Sequence, residues 1–380
     1  MESACIEKTA LFPSVGADAE QFLNSSNNSI TAEHNTCNDF YVNNAGFQSS
    51  FSGKGFRTVT MNELLDSVYT GKEPIIDGLL YRDTYLFTGS PKVGKSFLMA
   101  QLAYHVSTGT PLWGYPVRKG KVLYLALEDS EERLQSRLHR MFGTNGTDNL
   151  HLATSSGTLG DALDGNLIQF LTDNPDTSLV IIDTLKRIRD SEKSDTNYDD
   201  DYDTIINLKN FADRRNICLI IVHHNRKLKS DDIFEMISGT NGLFGAADGA
   251  FVLDKEKRGS DEATLYVTGR DQPDAKLQLK RNVSTLTWDL VGIDTDEWKD
   301  PPDPLLESVA ALVDGSCPIW QGSPTELAVA LNTELSVNAL TRKLNVSARK
   351  LRSDYSVLYR NTRNHDGRFI RIELNKRDDM

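Results

Sequence analysis

The sequence predicts an α/β fold in which a mostly parallel sheet is flanked by helices and extended by antiparallel strands, followed by a small second domain. Three observations carry this. Between Thr84 and Val222, strand-like runs that are apolar throughout alternate with helix-like segments, and such runs belong to strands covered on both faces. After Leu243 the texture changes to AFVLD, ATLYVTG, LQLKR and TLTWDL, short strands joined by polar turns, which extend the sheet by hairpins. A Pro-rich break, DPPDP at 300–304, then opens a stretch of different composition.

Taken in order, residues 1–57 are rich in Asn and Ser without a sustained period, so a disordered tail is expected. A short amphipathic helix over Met61 to Tyr69 leads into the strand TYLFT at Thr84 to Thr88. The alternation continues as helix Ser96 to Ser107, strand Lys121 to Leu127 and helix Glu131 to Met141. Strand Leu179 to Ile182, helix Asp203 to Arg214 and strand Ile217 to Val222 complete it. This assigns 58–299 to the α/β domain and 300–380 to the second one. The latter holds helix-like segments at Pro304 to Leu312, Ser323 to Leu331, Ala339 to Leu344 and Ala348 to Tyr355, then a hairpin turning at Asp366-Gly367.

Composition narrows the class. With 39% apolar and 25% charged residues the chain is neither fibrous nor membrane-embedded, and 380 residues suffice for two to three domains. No apolar run reaches the roughly 18 residues a membrane span requires, and no signal pattern opens the chain, so a cytoplasmic protein without a membrane partner is expected. Cys5, Cys37, Cys218 and Cys317 are far apart and form no CxxC pair, which suits reduced thiols better than a disulfide frame or zinc site. A net charge of −12 excludes a surface that coats nucleic acid everywhere and leaves room for a local basic patch.

The most specific feature is GSPKVGKS, a Gly-x4-Gly-Lys-Ser loop between a strand and a helix. Glycine lets backbone N–H groups at a helix N-terminus approach a polyphosphate, Lys95 neutralises β/γ oxygens, and the Ser96 hydroxyl reaches Mg²⁺. The nucleotide-binding set is Gly89, Ser90, Pro91, Lys92, Val93, Gly94, Lys95, Ser96 and Phe97, with ATP as substrate and Mg²⁺ as cofactor. LVIID ends in Asp183, a second metal-holding acid at a strand end. YLALED puts Glu128 and Asp129 at the carboxyl end of the strand after the loop's helix, where a carboxylate faces the γ-phosphate and Glu128 is the candidate general base. The alternative is that Glu128-Asp129-Ser130 caps the next helix, with Asp129 or Ser130 as the cap. ICLIIV runs into His223-His224, of which His224 is the candidate γ-phosphate sensor and His223 a packing residue.

GSPKVGKS, YLALED, LVIIDT, VHHNRK, GTNGLFGAADGAFVLDK and TGRD occur in the order found in RecA-like P-loop ATPases of the plasmid replication helicase (RepA) type, AAA-family ATPases carried by phages, plasmids and mobile elements. The chain resembles that family over about 58–292. The resemblance implies a RecA-like P-loop core, a homo-oligomeric ring such as a hexamer with ATP between neighbours, and a basic side chain supplied in trans. It implies phosphate binding by Gly89, Gly94 and Lys95, metal binding by Ser96 and Asp183, water activation by Glu128 and sensing by His224. Arg270 of TGRD is the candidate trans arginine, its alternative role being an ion pair with a neighbouring acid. In RecA-like proteins the loop matching Arg226 to Gly245 faces DNA, so Lys227 and Lys229 are candidate phosphate contacts, against an ordinary surface loop. Ser191 to Asp203 reads as a solvated acidic loop.

From Thr341 to Met380 there are 11 Lys or Arg against five acids, a net +6 within an acidic chain. The helices and hairpin resemble a winged helix, which puts Arg342, Lys343, Arg349, Lys350 and Arg352 in a recognition segment and GRFIRI in the wing; a protein-docking role is the alternative. The expected function is a ring-forming, DNA-dependent ATPase, a helicase, translocase or loader working with replication proteins on a mobile element. An ATP-controlled binding switch that unwinds nothing is the second reading. A small-molecule phosphotransferase is disfavoured, since no lid or acceptor pocket is recognisable.

Overall fold

A computed structural model describes residues 58–69, 71–189, 198–223, 242–257, 259–270, 272–295, 302–364 and 367–375. They fall into two compact units, one of residues 72–295 and one of residues 58–71 together with 302–375.

The larger unit begins with the small pair β1 (Pro74–Ile76) and β2 (Leu80–Tyr81), after the smaller unit's helix α1 (Met61–Asp66). The alternating part follows as β3 (Thr84–Gly89), α2 (Lys95–Thr108), β4 (Lys121–Ala126), α3 (Glu131–Phe142), β5 (Leu150–Ala153), α4 (Ala162–Asp173), β6 (Thr177–Asp183), α5 (Tyr198–Arg215) and β7 (Cys218–Val222). After α6 (Gly242–Ala246) come β8 (Gly249–Asp254), β9 (Glu262–Gly269), β10 (Gln272–Arg281) and β11 (Trp288–Thr295). They build one nine-stranded sheet in the order β11-β10-β9-β8-β3-β7-β6-β4-β5. From β8 to β5 all neighbours are parallel, while β9, β10 and β11 add on antiparallel.

The apolar strands bury both faces by period-2 alternation. Tyr85, Phe87, Val122, Tyr124, Leu179 and Ile181 share a core with Leu98, Met99 and Leu102 of α2. Leu86, Leu123, Leu125, Val180 and Ile182 point the other way, onto Leu163 and Leu167 of α4 and Ile205 and Leu208 of α5. Each such side chain contributes about 1.5–3 kcal/mol when fully buried. Helices on both faces therefore lock β3 at the centre, and every parallel strand delivers its carboxyl end to the same edge. Among the described residues no helix is long and apolar enough to cross a membrane, and neither Cys218 nor Cys317 forms a disulfide.

The smaller unit orders α7 (Pro304–Ala310), β12 (Ile319–Gly322), α8 (Pro324–Ala330), α9 (Val337–Val346), α10 (Ala348–Tyr355), β13 (Val357–Asn364) and β14 (Gly367–Leu374), with an antiparallel sheet β12-β14-β13. Leu306, Leu327, Leu340, Leu344, Leu351, Tyr359 and Ile370 form its own core.

Several elements differ from the sequence expectation. The helix at Met61 groups with the smaller unit, because Asp66 pairs with Arg342 and Arg368 and the Leu65 carbonyl accepts from Asn345. The acidic stretch read as a loop enters α5 from Tyr198 onward, as acids suit the first turn of a helix. β5, α4 and β12 were not anticipated: β5 and β12 are four-residue strands that bury little, and α4 carries Gly165 and Asn166 within its apolar period. The predicted hairpin turn at residue 366 lies outside the described residues, as does the expected disordered tail at 1–57.

Leu344 is fully buried and Val346, on the same helix, is 65% exposed. Leu344→Ala is expected to destabilise the smaller unit by about 2–5 kcal/mol, against less than about 0.5 kcal/mol for Val346→Ala, compared by chemical denaturation.

Candidate functional site

The loop leaves β3 at Gly89 and returns as α2 at Lys95. Gly89 has φ +154°, and a Cβ there would lie 2.4 Å from the Leu253 carbonyl oxygen of β8. Gly94 has φ +112°, and its Cβ would meet Trp288 Cζ2 at 2.9 Å. Both positions therefore require glycine. Between them Lys92 takes φ +65° and the Val93 N–H donates to the Ser90 carbonyl at 3.3 Å, closing the turn.

Lys95 folds back beneath the loop, its ammonium donating to the carbonyls of Gly89 at 2.7 Å and Ser90 at 3.1 Å. Burial pushes its pKa down to about 8, opposed by the charges of Asp183 and Glu128. Asp183 ends β6 in the register Ala126↔Asp183↔Val222, so it stands among the carboxyl ends of the parallel strands. Its buried carboxyl accepts from the Ser96 hydroxyl and, at 3.1 Å, from the Tyr124 hydroxyl. Burial raises its pKa, while Ser96, Tyr124 and Lys95 oppose the shift.

Ser96 and Asp183 thus stand together as a hydroxyl and a carboxylate. No group of three or more His, Cys, Asp or Glu among the described residues is arranged to hold a metal. Two protein oxygens nevertheless fit Mg²⁺, which keeps several waters and takes other ligands from phosphate.

Glu128 is exposed at the end of β4, where its carboxylate accepts from the Thr184 hydroxyl at 3.2 Å. Its neighbour Leu127 donates its N–H to the Asp183 carbonyl at 2.8 Å, tying the two strand ends together. The cap of α3 is Ser130, which accepts from the Arg133 N–H, and Asp129 forms a two-pronged pair with Arg137 at 2.6 and 3.1 Å. Capping therefore occupies Ser130 and leaves the Glu128 carboxylate turned toward Thr184.

His223 continues from β7, with its N–H donating to the Phe87 carbonyl at 2.9 Å. His224, Lys227 and Lys229 lie outside the described residues. Arg270 is at the other end of the sheet: Gly269 pairs with Gly249, which pairs with Tyr85 near the start of β3, whereas Gly89 pairs with Leu253. Its guanidinium is 65% exposed, 3.9 Å from Asp248 and 3.5 Å from the Gly245 carbonyl. Within one chain Arg270 is therefore not brought to the P-loop.

In the smaller unit, Arg342 donates to Asp66 and Asn62, and Lys343 pairs with Asp303 at 2.9 Å. Arg349 packs its stem against Gly71, and Lys350 and Arg352 are half-buried. Sequence reasoning missed Tyr124, Thr184 and Trp288. Tyr124 and Thr184 sit inside motifs as ordinary strand residues, and Trp288 reaches the loop from a strand far along the chain.

The fold and this edge define a P-loop α/β domain. A family model described as an AAA domain matches residues 55–230, which takes in the loop, Glu128, Asp183 and the strand ending at His223. No curated protein matches the sequence. Among solved structures, one described as an ATPase domain is 15% identical over 56% of this chain and 85% of that one, with a TM-score of 0.47. A DnaB-like replicative helicase, described with its interactions with primase, is 14% identical over 60% of this chain and 66% of that one, at 0.49. A KaiC-like protein from the hyperthermophilic archaeon Pyrococcus horikoshii OT3 is 15% identical over 59% of this chain and all of that one, at 0.40.

Because the folded pKa of Lys95 lies below the ordinary lysine value, folding carries a penalty that is full below pH 8 and is relieved as pH rises from about 8 toward 10.5. Denaturation midpoints between pH 8 and 10 are expected to rise more for the natural chain than for Lys95→Met; parallel curves would contradict the burial of a charged lysine.

Proposed function

We propose that the chain is an ATP-hydrolysing, ring-forming, DNA-dependent ATPase, a helicase, translocase or loader acting in replication of a plasmid, phage or other mobile element. The observation that carries the ATPase reading is the convergence of Lys95, Ser96, Asp183 and Glu128 at one strand edge. The AAA-domain match over the same residues supports it. The DNA, ring and mobile-element parts rest on the motif series from GSPKVGKS to TGRD and on the basic C-terminal segment.

In this reading backbone N–H groups of Ser90 to Ser96 cradle the phosphates, and Lys95 exchanges its loop carbonyls for β/γ oxygens. Ser96 and Asp183 would hold Mg²⁺, which would supply charge neutralisation for the phosphates. Glu128, steadied by Thr184, accepts a proton from a water whose oxygen attacks the γ-phosphorus. The bond from that phosphorus to the β,γ-bridging oxygen breaks, releasing ADP and phosphate. Arg270, far from its own loop and well exposed, serves a neighbour's site in a ring such as a hexamer in this reading, with His224 as sensor and Lys227 and Lys229 on DNA.

A second reading, an ATP-controlled binding switch that unwinds nothing, is favoured by one observation. Arg342 and Lys343, two of the five cations proposed for DNA, are already paired with acids of their own unit.

Glu128→Gln is expected to lower phosphate release by about 10²–10⁴-fold while ATP still binds. Normal turnover in that variant would remove Glu128 from the mechanism. Single-stranded DNA at low salt is expected to stimulate the natural chain's turnover, and ATP to shift its mass to that of a ring. Turnover indifferent to DNA, with an ATP-dependent change in binding to a partner, would select the switch.

A further inference from the structure

The charge around the P-loop is not balanced by the residues assigned above. Arg281, the last residue of β10, lays its guanidinium over the Phe97 ring, 4.2 Å from the centroid, and 5.9 Å from the centroid of Trp288. Arg137 takes the same Phe97 ring at 4.8 Å. Lys255, immediately after β8, lies 5.1 Å from the Trp288 ring. Trp288 is itself fixed to the loop's helix, its backbone exchanging hydrogen bonds with the Gln101 side chain at 2.7 and 2.9 Å, and its ring abuts Gly94. One aromatic layer therefore carries cations from β8 and β10 to the flank of the P-loop.

Acids do not neutralise this group evenly. Arg137 has Asp129, but Arg281 forms no ion pair among the described residues, and its Nε is buried without a hydrogen-bond partner. The Lys255 ammonium donates to the Ser260 carbonyl, and Arg140 donates to the carbonyls of Val283 and Ser284. Burial, then Arg140 and Arg137, depress the Arg281 pKa; burial, then Arg281, depress that of Lys255, with Asp261 opposing. Holding unpaired cations together beside a helix N-terminus opposes folding, and a bound polyanion removes that opposition.

We infer that Arg281, assisted by Lys255, is a phosphate-binding residue of the nucleotide site, contributed in cis from the antiparallel extension and lying outside the P-loop itself. The inference rests on the reading that the P-loop binds a nucleoside triphosphate. Stacking on Phe97 aims the guanidinium, whose terminal N–H groups are the donors for an oxygen of the phosphate chain. The antiparallel strands then do more than widen the sheet: they complete the charge of the site.

The test compares Mg²⁺-ATP affinity by calorimetry at low salt for the full natural chain, Arg281→Lys, Arg281→Met and Lys95→Met, with folding followed by denaturation midpoint. Arg281→Met keeps an apolar stem on Phe97 and removes the charge, so it is expected to weaken binding about tenfold and to flatten the salt dependence. Arg281→Lys keeps the charge and loses the planar stack, so its loss is expected to be smaller than that of Arg281→Met. If Lys95→Met abolishes binding while Arg281→Met binds as the natural chain does, the inference is overturned and the P-loop reading stands. Equal losses in both Arg281 variants would assign the residue to packing and also overturn it. If Lys95→Met binds ATP normally, the P-loop reading itself fails.

Discussion

The site depends on how closely β8 approaches β3 at Gly89. The Leu253 carbonyl occupies the space a side chain would need, so the strand can turn there only as glycine, and the turn leaves the carbonyls of Gly89 and Ser90 facing inward. Those carbonyls hold the Lys95 ammonium under the loop, within the field of Asp183 and Glu128. The same turn sets Ser96 against Asp183. A charged lysine and a carboxylate are thus buried as neighbours, each shifted in the direction of its neutral form and each drawn back by the other. In the proposed function such a centre exchanges internal contacts for those of a phosphate.

The parallel register makes this arrangement repeatable. Gly89, Glu128, Asp183 and His223 come from four strands, and adjacent pairing in the order β3-β7-β6-β4 brings all four to one edge without a dedicated scaffold. Side-chain alternation secures the register from both faces: a one-residue slip of β4 would exchange Tyr124, which touches Asp183, for Leu123 or Leu125 of the opposite core. The antiparallel strands reach the same edge from the other side, with Trp288 against Gly94 and Arg281 against Phe97.

Legibility in the sequence followed the range of the interactions. The α/β class and the helix after the loop were readable because apolar runs and a Gly-x4-Gly-Lys-Ser loop are local patterns. Ser130 as a cap was equally local, although sequence alone left it tied with Asp129. The Thr184 contact to Glu128, the Tyr124 contact to Asp183 and the aromatic layer around Phe97 were not readable, since each joins segments dozens of residues apart. The helix at Met61 was placed with the wrong unit for the same reason: its chain neighbours point to the large sheet, but Asp66 finds its partners, Arg342 and Arg368, near the C-terminal end. Charge counting also overstated the free basic surface of the C-terminal segment, because a count records no partners for Arg342 and Lys343.

In the proposed function buried Asp183 and Ser96 serve a metal-assisted phosphate site next to Lys95. The most direct measurement is phosphate release from ATP by the full chain with Mg²⁺ and with a chelator, alongside Asp183→Ala. Turnover is expected to require the cation and to fall on the order of a hundredfold in Asp183→Ala. Turnover that ignores the chelator, or that is equal in the natural and Asp183→Ala chains, would contradict the proposed function.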